Sequence, residues 1–535
     1  MIRVMEDPLK FPVGRRISSA GYYGTVRYYG PVVGTRGDWV GVEWEDPTRG
    51  KHNGCHNGVR YFQTTAETGG SFIRPEKVDR TLSILEAIDC KYLESCSARM
   101  EGDKDIALLE SNITSKVVEL VGYKKVVSLQ SRRDTLKEVV LANMPVDNPG
   151  NPGELQKFAP NIQSLDLSHS LLSSWEQVAL AAGQLHHLNT LILSRNNLKL
   201  PTNPADYKES FTSVKEIALR CTGYSWEEAL LCALMWPYIE RLILSFNNIE
   251  TLQKPPMEMF QELQELLLDE NPISSWAEVC NLGHLPRLKT LSLADCDLTH
   301  ISFPDTEPTE KTPLFKSLVS LNLHNNRLED WSSIAELNKL RSLQVLIVMG
   351  NSVIVRELRG VKRYLVISHL CTLQLLDRIE ITKMERREAA LYYINRFYPL
   401  FLESGGSPEG RSPSRDFVRQ HPRFTQLLKV YGAPDVPDSK KSLATMKSKF
   451  INLEILAPQD PERVPVKKAL PGSITIAKLR SLAIQLYSKN NVQSRDMRLT
   501  LIRPEHNIEE EFDRGYQKEL SFYDVTDGCK ILVHW

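Results

Sequence analysis

Between Leu136 and Val353, apolar and polar positions recur in one fixed phase. The unit is L-x-x-L-x-L-x-x-N/C-x-L, clearest at Leu188, Leu191, Leu193, Asn196 and Leu198. It returns at Ile239, Leu263 and Leu318, and in weaker form at Leu136, Ile162, Val214, Leu288 and Leu343. Successive starts lie 24 to 26 residues apart, except for 30 between Leu288 and Leu318, where Phe303–Pro313 reads as an inserted surface loop. Each L-x-L predicts a short strand followed by a return segment. One such coil cannot bury its own leucines, so the coils must stack. The asparagine amide is expected to bond turn backbone in neighbouring coils; losing such a buried partner costs about 1–3 kcal/mol. Ser170, Thr222 and Cys296 replace it in weaker units, where looser turns are expected. Trp175, Trp276 and Trp331, each 13 residues after a start, read as core spacers.

The pattern changes on both sides of this array. Residues 1–80 hold 12 of the 28 glycines among short β-branched and aromatic runs, the signature of a small, tightly turned β-barrel. Residues 81–135 read as linker and N-terminal cap, with helical spacing at Leu82, Leu85, Ile88 and Leu93 and again at Val117, Val118 and Leu120. Residues 136–402 take in the array, an α/β leucine-rich-repeat solenoid, and a helical C-terminal cap containing Leu365, Leu373, Leu375, Leu376 and the charged segment Glu385–Tyr393. Residues 403–449, with Ser404–Pro413 and the Pro- and Lys-containing stretch after Ala433, read as linker. Residues 450–535 alternate strands (Phe450–Leu456, Met497–Ile502, Lys530–His534) with one helix, Ile476–Leu486. That order resembles an α+β ubiquitin-like (β-grasp) domain, and its His534-Trp535 ending, in place of Gly-Gly, points to a docking or intramolecular role and not conjugation. The expected fold is therefore multidomain: a small all-β barrel, an α/β solenoid and an α+β domain.

Composition narrows the function. Lys plus Arg equals Asp plus Glu at 66 each, which argues against nucleic acid as a general partner. No run approaches the ~18 apolar residues of a membrane helix, and the first residues lack the apolar stretch of a signal peptide. Nine scattered cysteines without a Cys-x-x-Cys pair suit a reducing compartment, so a soluble, cytoplasmic protein with no membrane association is expected. There is no Walker loop, G-x-S-x-G or H-E-x-x-H, and no enzyme activity or cofactor is expected. His52, Cys55 and His56 offer three ligands at a spacing of no common site, so no metal is expected either.

Chemistry concentrates near the start: Gly24-Thr-Val-Arg-Tyr28, Gly37-Asp-Trp-Val-Gly-Val-Glu-Trp44, Gly50-Lys-His-Asn-Gly54, Tyr61-Phe62 and Gly70-Ser-Phe-Ile-Arg-Pro75. Glycines 50 and 54 let backbone approach a ligand or adopt positive φ. Lys51 supplies charge for a carboxylate, and Trp39 and Phe72 offer walls for an aromatic ring. Arg74 is placed to meet a glutamate, while Trp44, Tyr61 and Phe62 read as core. These motifs resemble the CAP-Gly family, whose members bind the C-terminal Glu-Glu-Tyr/Phe end of α-tubulin or related proteins. The resemblance implies a CAP-Gly barrel at residues 1–80 with tail contacts from Trp39, Lys51, His52, Asn53, Phe72 and Arg74. The chain departs from the family's Gly-Lys-Asn-Asp-Gly at His52 and Asn53, and imidazole can still donate a hydrogen bond. Gly34 stands where a wall residue is common, so a shallower wall is expected.

The domain order, with Leu428–Pro434, Leu470–Ile476 and Leu532–Trp535, resembles the tubulin-folding cofactor E family. That resemblance implies a cytoplasmic, cytoskeleton-associated chaperone. Its partners would be α-tubulin and other tubulin-folding cofactors, and it would act in assembly and dissociation of the α/β heterodimer. A second contact is expected on the concave strands, at Glu216, Arg220, Glu240, Arg241, Glu265 and Asp269. The rival readings are a microtubule-associated linker and an adaptor that reaches ubiquitin/proteasome machinery through the C-terminal domain.

Overall fold

A computed structural model describes residues 11–92, 135–304, 306–357, 361–434, 450–460, 464–472, 474–487, 498–502, 509–512, 518–523, 525 and 527–534. The helical spacing read at Leu93 and Val117–Leu120, and the stretch 435–449, lie outside the described residues. The chain divides into two compact units, Met1–Ala433 and Pro434–Trp535.

The first unit begins with a four-stranded antiparallel sheet of β1 (Arg16–Ser19), β2 (Tyr22–Pro31), β3 (Asp38–Trp44) and β4 (Gly70–Ile73). Its core is Phe11, Ile17, Val26, Val40, Val42, Trp44 and Ile73. No flexible spacer follows. Asp79 N–H bonds Ser18 O (2.8 Å), and Leu82–Ser83 already pairs with Val146–Asn148. Helix α1 (Ile84–Tyr92) then buries Ile84, Ala87 and Ile88 against the first coils as their N-terminal cap.

All nine repeat starts produce a strand in one 11-stranded sheet, parallel from Glu138–Val140 to Leu375–Leu376. Leu165, Leu191, Ile217, Leu242, Leu266, Leu291, Leu321 and Leu346 are cross-strand neighbours, all buried inside the coils. The strand at Leu375–Leu376 corrects the helical reading of those leucines. It is a tenth, truncated repeat, closed by an antiparallel strand, Ile379–Glu380.

The asparagines form a ladder. Asn271 Nδ2 donates to Leu244 O (3.0 Å) and Leu268 O (2.8 Å), while its Oδ1 accepts from the N–H groups of Asn247 (3.0 Å) and Ile249 (2.9 Å). Asn196, Asn247, Asn326 and Asn351 likewise bond the preceding coil. At the tenth repeat Asp377 Oδ1 stands in for the next strand's carbonyl, accepting from Val348 N–H (2.9 Å) as Ile347 O accepts from Leu323 N–H one coil earlier. The residue before each asparagine position is left-handed: Asn143, His169, Arg195, Cys221, Phe246, Glu270, Asp295 and Asn325 have φ between 50° and 63°. A β-carbon makes that conformation costly, by roughly 1–2 kcal/mol per residue. Bonds to the next coil hold it, such as Arg195 N–H to Arg220 O (2.7 Å). Ser170 and Thr222 do not loosen their turns: both hydroxyls bond the next coil's asparagine Oδ1 at 3.0 Å. Asn271→Ala is expected to cost about 1–3 kcal/mol, read as a lower urea midpoint; an unchanged midpoint would mean that water replaces the amide.

The C-terminal cap is longer than the sequence suggests. Helices Val361–His369 and Lys383–Glu403 are joined by Arg415–Gln420 and Phe424–Tyr431, within the span read as linker. Phe417, Phe424 and Leu427 pack with Tyr393 and Phe401 in one buried cluster. Trp175 and Trp276 are core, as their spacing predicts, whereas Trp331 is half-buried and stacks on His369 (5.5 Å, 13°).

The second unit has a five-stranded sheet in spatial order Val466–Pro471, Phe450–Leu456, Lys530–His534, Arg498–Ile502, Glu509–Glu511. The first and last strands of the unit run parallel at its centre, the β-grasp arrangement. Helix Ile476–Tyr487 covers one face with Ile476, Leu479, Ala483 and Tyr487.

Candidate functional site

Strand register builds the groove. Gly41 on β3 lies opposite Phe72 on β4, and the two-residue alternation puts Trp39, Phe72 and Arg74 on that same face. Tyr28 joins them through a bulge. The β2–β3 register shifts between Val26 and Tyr28, so Val26 faces the core opposite Val42 while Tyr28 lies opposite Gly41.

Half-buried Phe72 is ringed by aromatic groups: Tyr61 edge-on at 5.5 Å, Tyr28 edge-on at 6.2 Å and His52 at 5.1 Å. Tyr61, read as core, belongs to this cluster and is half-buried; its hydroxyl accepts from Val33 N–H (2.8 Å). Trp44 and Phe62 are core, with Phe62 packed under Gly41. Small-residue geometry is strict here: a Cβ on Gly50 would meet Thr68 O at 1.8 Å, and Gly54 has φ +93°. The close approach at Gly50 is therefore to the chain's own backbone. Val33, beside Gly34, is exposed.

His52 has a defined role. Its Nδ1 accepts from Gly54 N–H (3.0 Å), so in the neutral ring the proton sits on Nε2, which is left to donate. Partial burial, then His56 and Lys51, hold the imidazole below its ordinary pKa and favour this neutral form. Lys51 is exposed beside it, and Asn53 is half-buried. Arg74 is committed elsewhere. Its guanidinium lies 3.8 Å over the Trp39 ring, and Nη1 donates to Arg36 O (2.7 Å) and Asp38 O (3.3 Å), bracing the loop at Gly34–Gly37. Trp39 Nε1 donates to Thr35 Oγ1 (2.8 Å). Among the described residues no group of three or more His, Cys, Asp or Glu is placed to hold a metal ion.

On the solenoid, Glu216, Arg241 and Glu265 are neighbours on three adjacent strands. Arg241 reaches Glu265 at 3.1 Å and Glu216 at 3.8 Å. Glu240 is displaced from that row and pairs with Lys215 (3.2 Å) and Gln264 (3.1 Å). Asp269 accepts from Ser292 Oγ and from Ala294 N–H (2.9 Å), and Arg220 is exposed. Beside the charged row runs an apolar one, Ile192, Ala218, Ile243 and Leu267, which the sequence reading did not single out.

Residues 13–78 match the CAP-Gly domain family. Over 527 residues the chain is 37% identical to tubulin-specific chaperone E of Danio rerio, spanning 98% of this chain and 99% of that one. The chain belongs to the tubulin-specific chaperone E family. The Homo sapiens member is 35% identical over 99% of this chain and 100% of its own. The solution structure of the C-terminal ubiquitin-like domain of mouse tubulin-specific chaperone e is 28% identical, covering 16% of this chain and 87% of that one at a TM-score of 0.15. Among the described residues no helix is long and apolar enough to cross a membrane. In this member of the family, the groove's aromatic floor and its His52 donor are brought together from β2, β3, β4 and two loops.

Proposed function

We propose that this chain is a tubulin-folding chaperone that captures α-tubulin by its acidic C-terminal tail in the groove and by its folded body on the concave strands. It would act with other tubulin-folding cofactors in assembly and dissociation of the α/β heterodimer. The observation that carries this reading is the aromatic floor around Phe72, with a neutral His52 donor and the Lys51 cation at its side. A terminal ring can lie on Phe72, Tyr28 and Tyr61, while Nε2 of His52 and the Lys51 ammonium face a carboxylate. Arg74 serves in this scheme by keeping the Trp39 wall upright. On the concave face, the charged row already pairs within itself, and of the apolar row beside it Ala218 and Ile243 are already buried, so half-buried Ile192 and Leu267 supply the apolar surface that a folded partner can share.

The test is binding of the full chain to an acidic tail peptide with and without its terminal aromatic residue. The complete peptide should bind and the truncated one should lose most of its affinity. Lys51→Glu should weaken binding by more than the ~0–1 kcal/mol of an exposed ion pair. Equal affinity for the two peptides would eliminate the groove.

A further inference from the structure

The groove and the solenoid are joined by a clamp at the far end of the barrel. Arg15 Nη2 pairs with Asp147 Oδ2 at 3.0 Å. Glu45 is gripped from both sides, by Arg16 within its own domain (2.6 Å) and by His169 Nε2 from the second coil (3.0 Å). His169 is itself oriented through Nδ1 to Asn143 Oδ1 (2.9 Å), and Tyr23 lies on its ring at 4.2 Å. Burial works to raise the Glu45 carboxyl, but the His169 hydrogen bond and Arg16 outweigh it and keep the group below the usual carboxylate range. With the Leu82–Val146 strand pairing directly behind, the barrel is held at more than one point.

The clamp lies past the end of β3, and the ring-lined part of the groove, at Trp39, Gly41 and Phe72, lies further back along the same strands, while Lys51 and His52 flank Gly70, opposite Glu43. Glu45, just past the end of β3, follows Trp39 by six residues and Gly41 (opposite Phe72) by four; on β2, Tyr23 precedes Tyr28 by five. At about 3.3 Å per residue the separation is roughly 13–20 Å. A body docked on strands beyond the clamp must send its tail at least across this span, which over the full ~20 Å takes about six residues fully extended and roughly a dozen at a relaxed length of about 5–6 Å × √n.

We infer that the clamp makes groove and solenoid one rigid two-point receptor, which selects partners whose acidic, ring-ended terminus is carried on a flexible tail of at least about six residues. His169 and Asp147 are positioning residues in this scheme: they touch no part of the tail and set where the groove is held. The inference rests on the groove reading proposed above.

The experiment measures binding of the full chain to whole α-tubulin whose tail is shortened by internal deletions that keep the last residues. The isolated tail peptide is measured in parallel. In the unaltered chain, affinity should drop tenfold or more once fewer than about six residues separate the folded body from the terminal ring. In Arg15→Asp combined with His169→Asn, which keeps a residue tolerant of left-handed φ, the peptide should bind as before while shorter tails become acceptable. Adding Asp147→Arg should restore the original threshold. A smooth decline with no threshold in the unaltered chain, or a threshold that the clamp variants leave in place, would overturn the inference. Failure of the isolated peptide to bind the unaltered chain would instead sink the groove reading. If the clamp variant does not fold, the threshold in the unaltered chain still decides.

Discussion

Lys339→Ala is expected to destabilise the first unit by about 3–5 kcal/mol, the range for stripping one partner from a buried ion pair. The Lys339 side chain is 4% exposed and that of Glu336, 2.9 Å away, is 13% exposed. The same ammonium donates to Thr306 O (2.8 Å) and Phe303 O (3.2 Å), and Glu336 Oε2 accepts from Phe303 N–H (2.7 Å). The pair therefore ties down the inserted loop between the seventh and eighth repeats, which the sequence alone presents as a simple surface excursion. Alanine would leave a buried carboxylate facing a single amide. Pairing Lys339→Met with Glu336→Gln removes both charges and should recover most of the loss, because a buried ion pair is worth little against a well-packed neutral replacement. Urea unfolding of the three proteins checks this. A single variant within about 1 kcal/mol of the parent would show that water reaches the pair and weakens it.

Acid should loosen the C-terminal cap before the rest of the solenoid. His369 and His421 flank the buried Tyr393 hydroxyl, at 3.3 Å and 2.6 Å, and His369 Nδ1 bonds Leu365 O at 2.8 Å. Burial, joined by the nearby Arg423 charge, pushes His369 down to about 4; burial, joined by His369, pushes His421 down to about 3. Both rings are neutral when folded and take up protons near pH 6.5 when unfolded, so the unfolded state binds more protons below that pH. Their contribution is present in full above pH 6.5 and falls as pH drops toward the folded values. Each ring contributes a slope of about 1.4 kcal/mol per pH unit. Together they remove about 3 kcal/mol between about pH 6.5 and 5. Hydrogen exchange in helices Val361–His369 and Lys383–Glu403 should accelerate over that interval, and His421→Phe should halve the slope. A cap whose exchange has no excess pH dependence over the central coils would refute the assignment.

Much of the architecture was legible because its causes are local. The L-x-x-L-x-L spacing places alternate side chains on opposite faces of an extended segment, and that period follows from backbone geometry alone. Even the weak starts at Leu136, Val214 and Leu288 therefore give strands in register with the strong ones. The groove motif was legible for the same reason: Trp39 and Phe72 lie in strands whose alternation can be read. Tyr28 was not, because strict alternation sends it inward with Val26 and only the bulge turns it out. For Arg74 the sequence suggests only a glutamate partner; its stacking on Trp39 and its two carbonyl partners depend on a loop folding back. The tenth strand at Leu375–Leu376 was masked by apolar neighbours that suit a helix equally well, and the two helices after Arg411 by a Gly/Ser/Pro run immediately before them.

By itself the sequence determined three kinds of module, the coil period, the asparagine ladder and the set of rings available to a groove. Each of these depends on residues a few positions apart, and short-range spacing is written directly in the chain. Tertiary structure decided which rings meet at Phe72, that the barrel is clamped to the first coils through Arg15–Asp147 and Glu45–His169, and that two histidines share one buried hydroxyl. The clamp and histidine contacts join residues from 24 to 132 positions apart. Their partners are chosen by where whole elements pack, and no local periodicity encodes that choice.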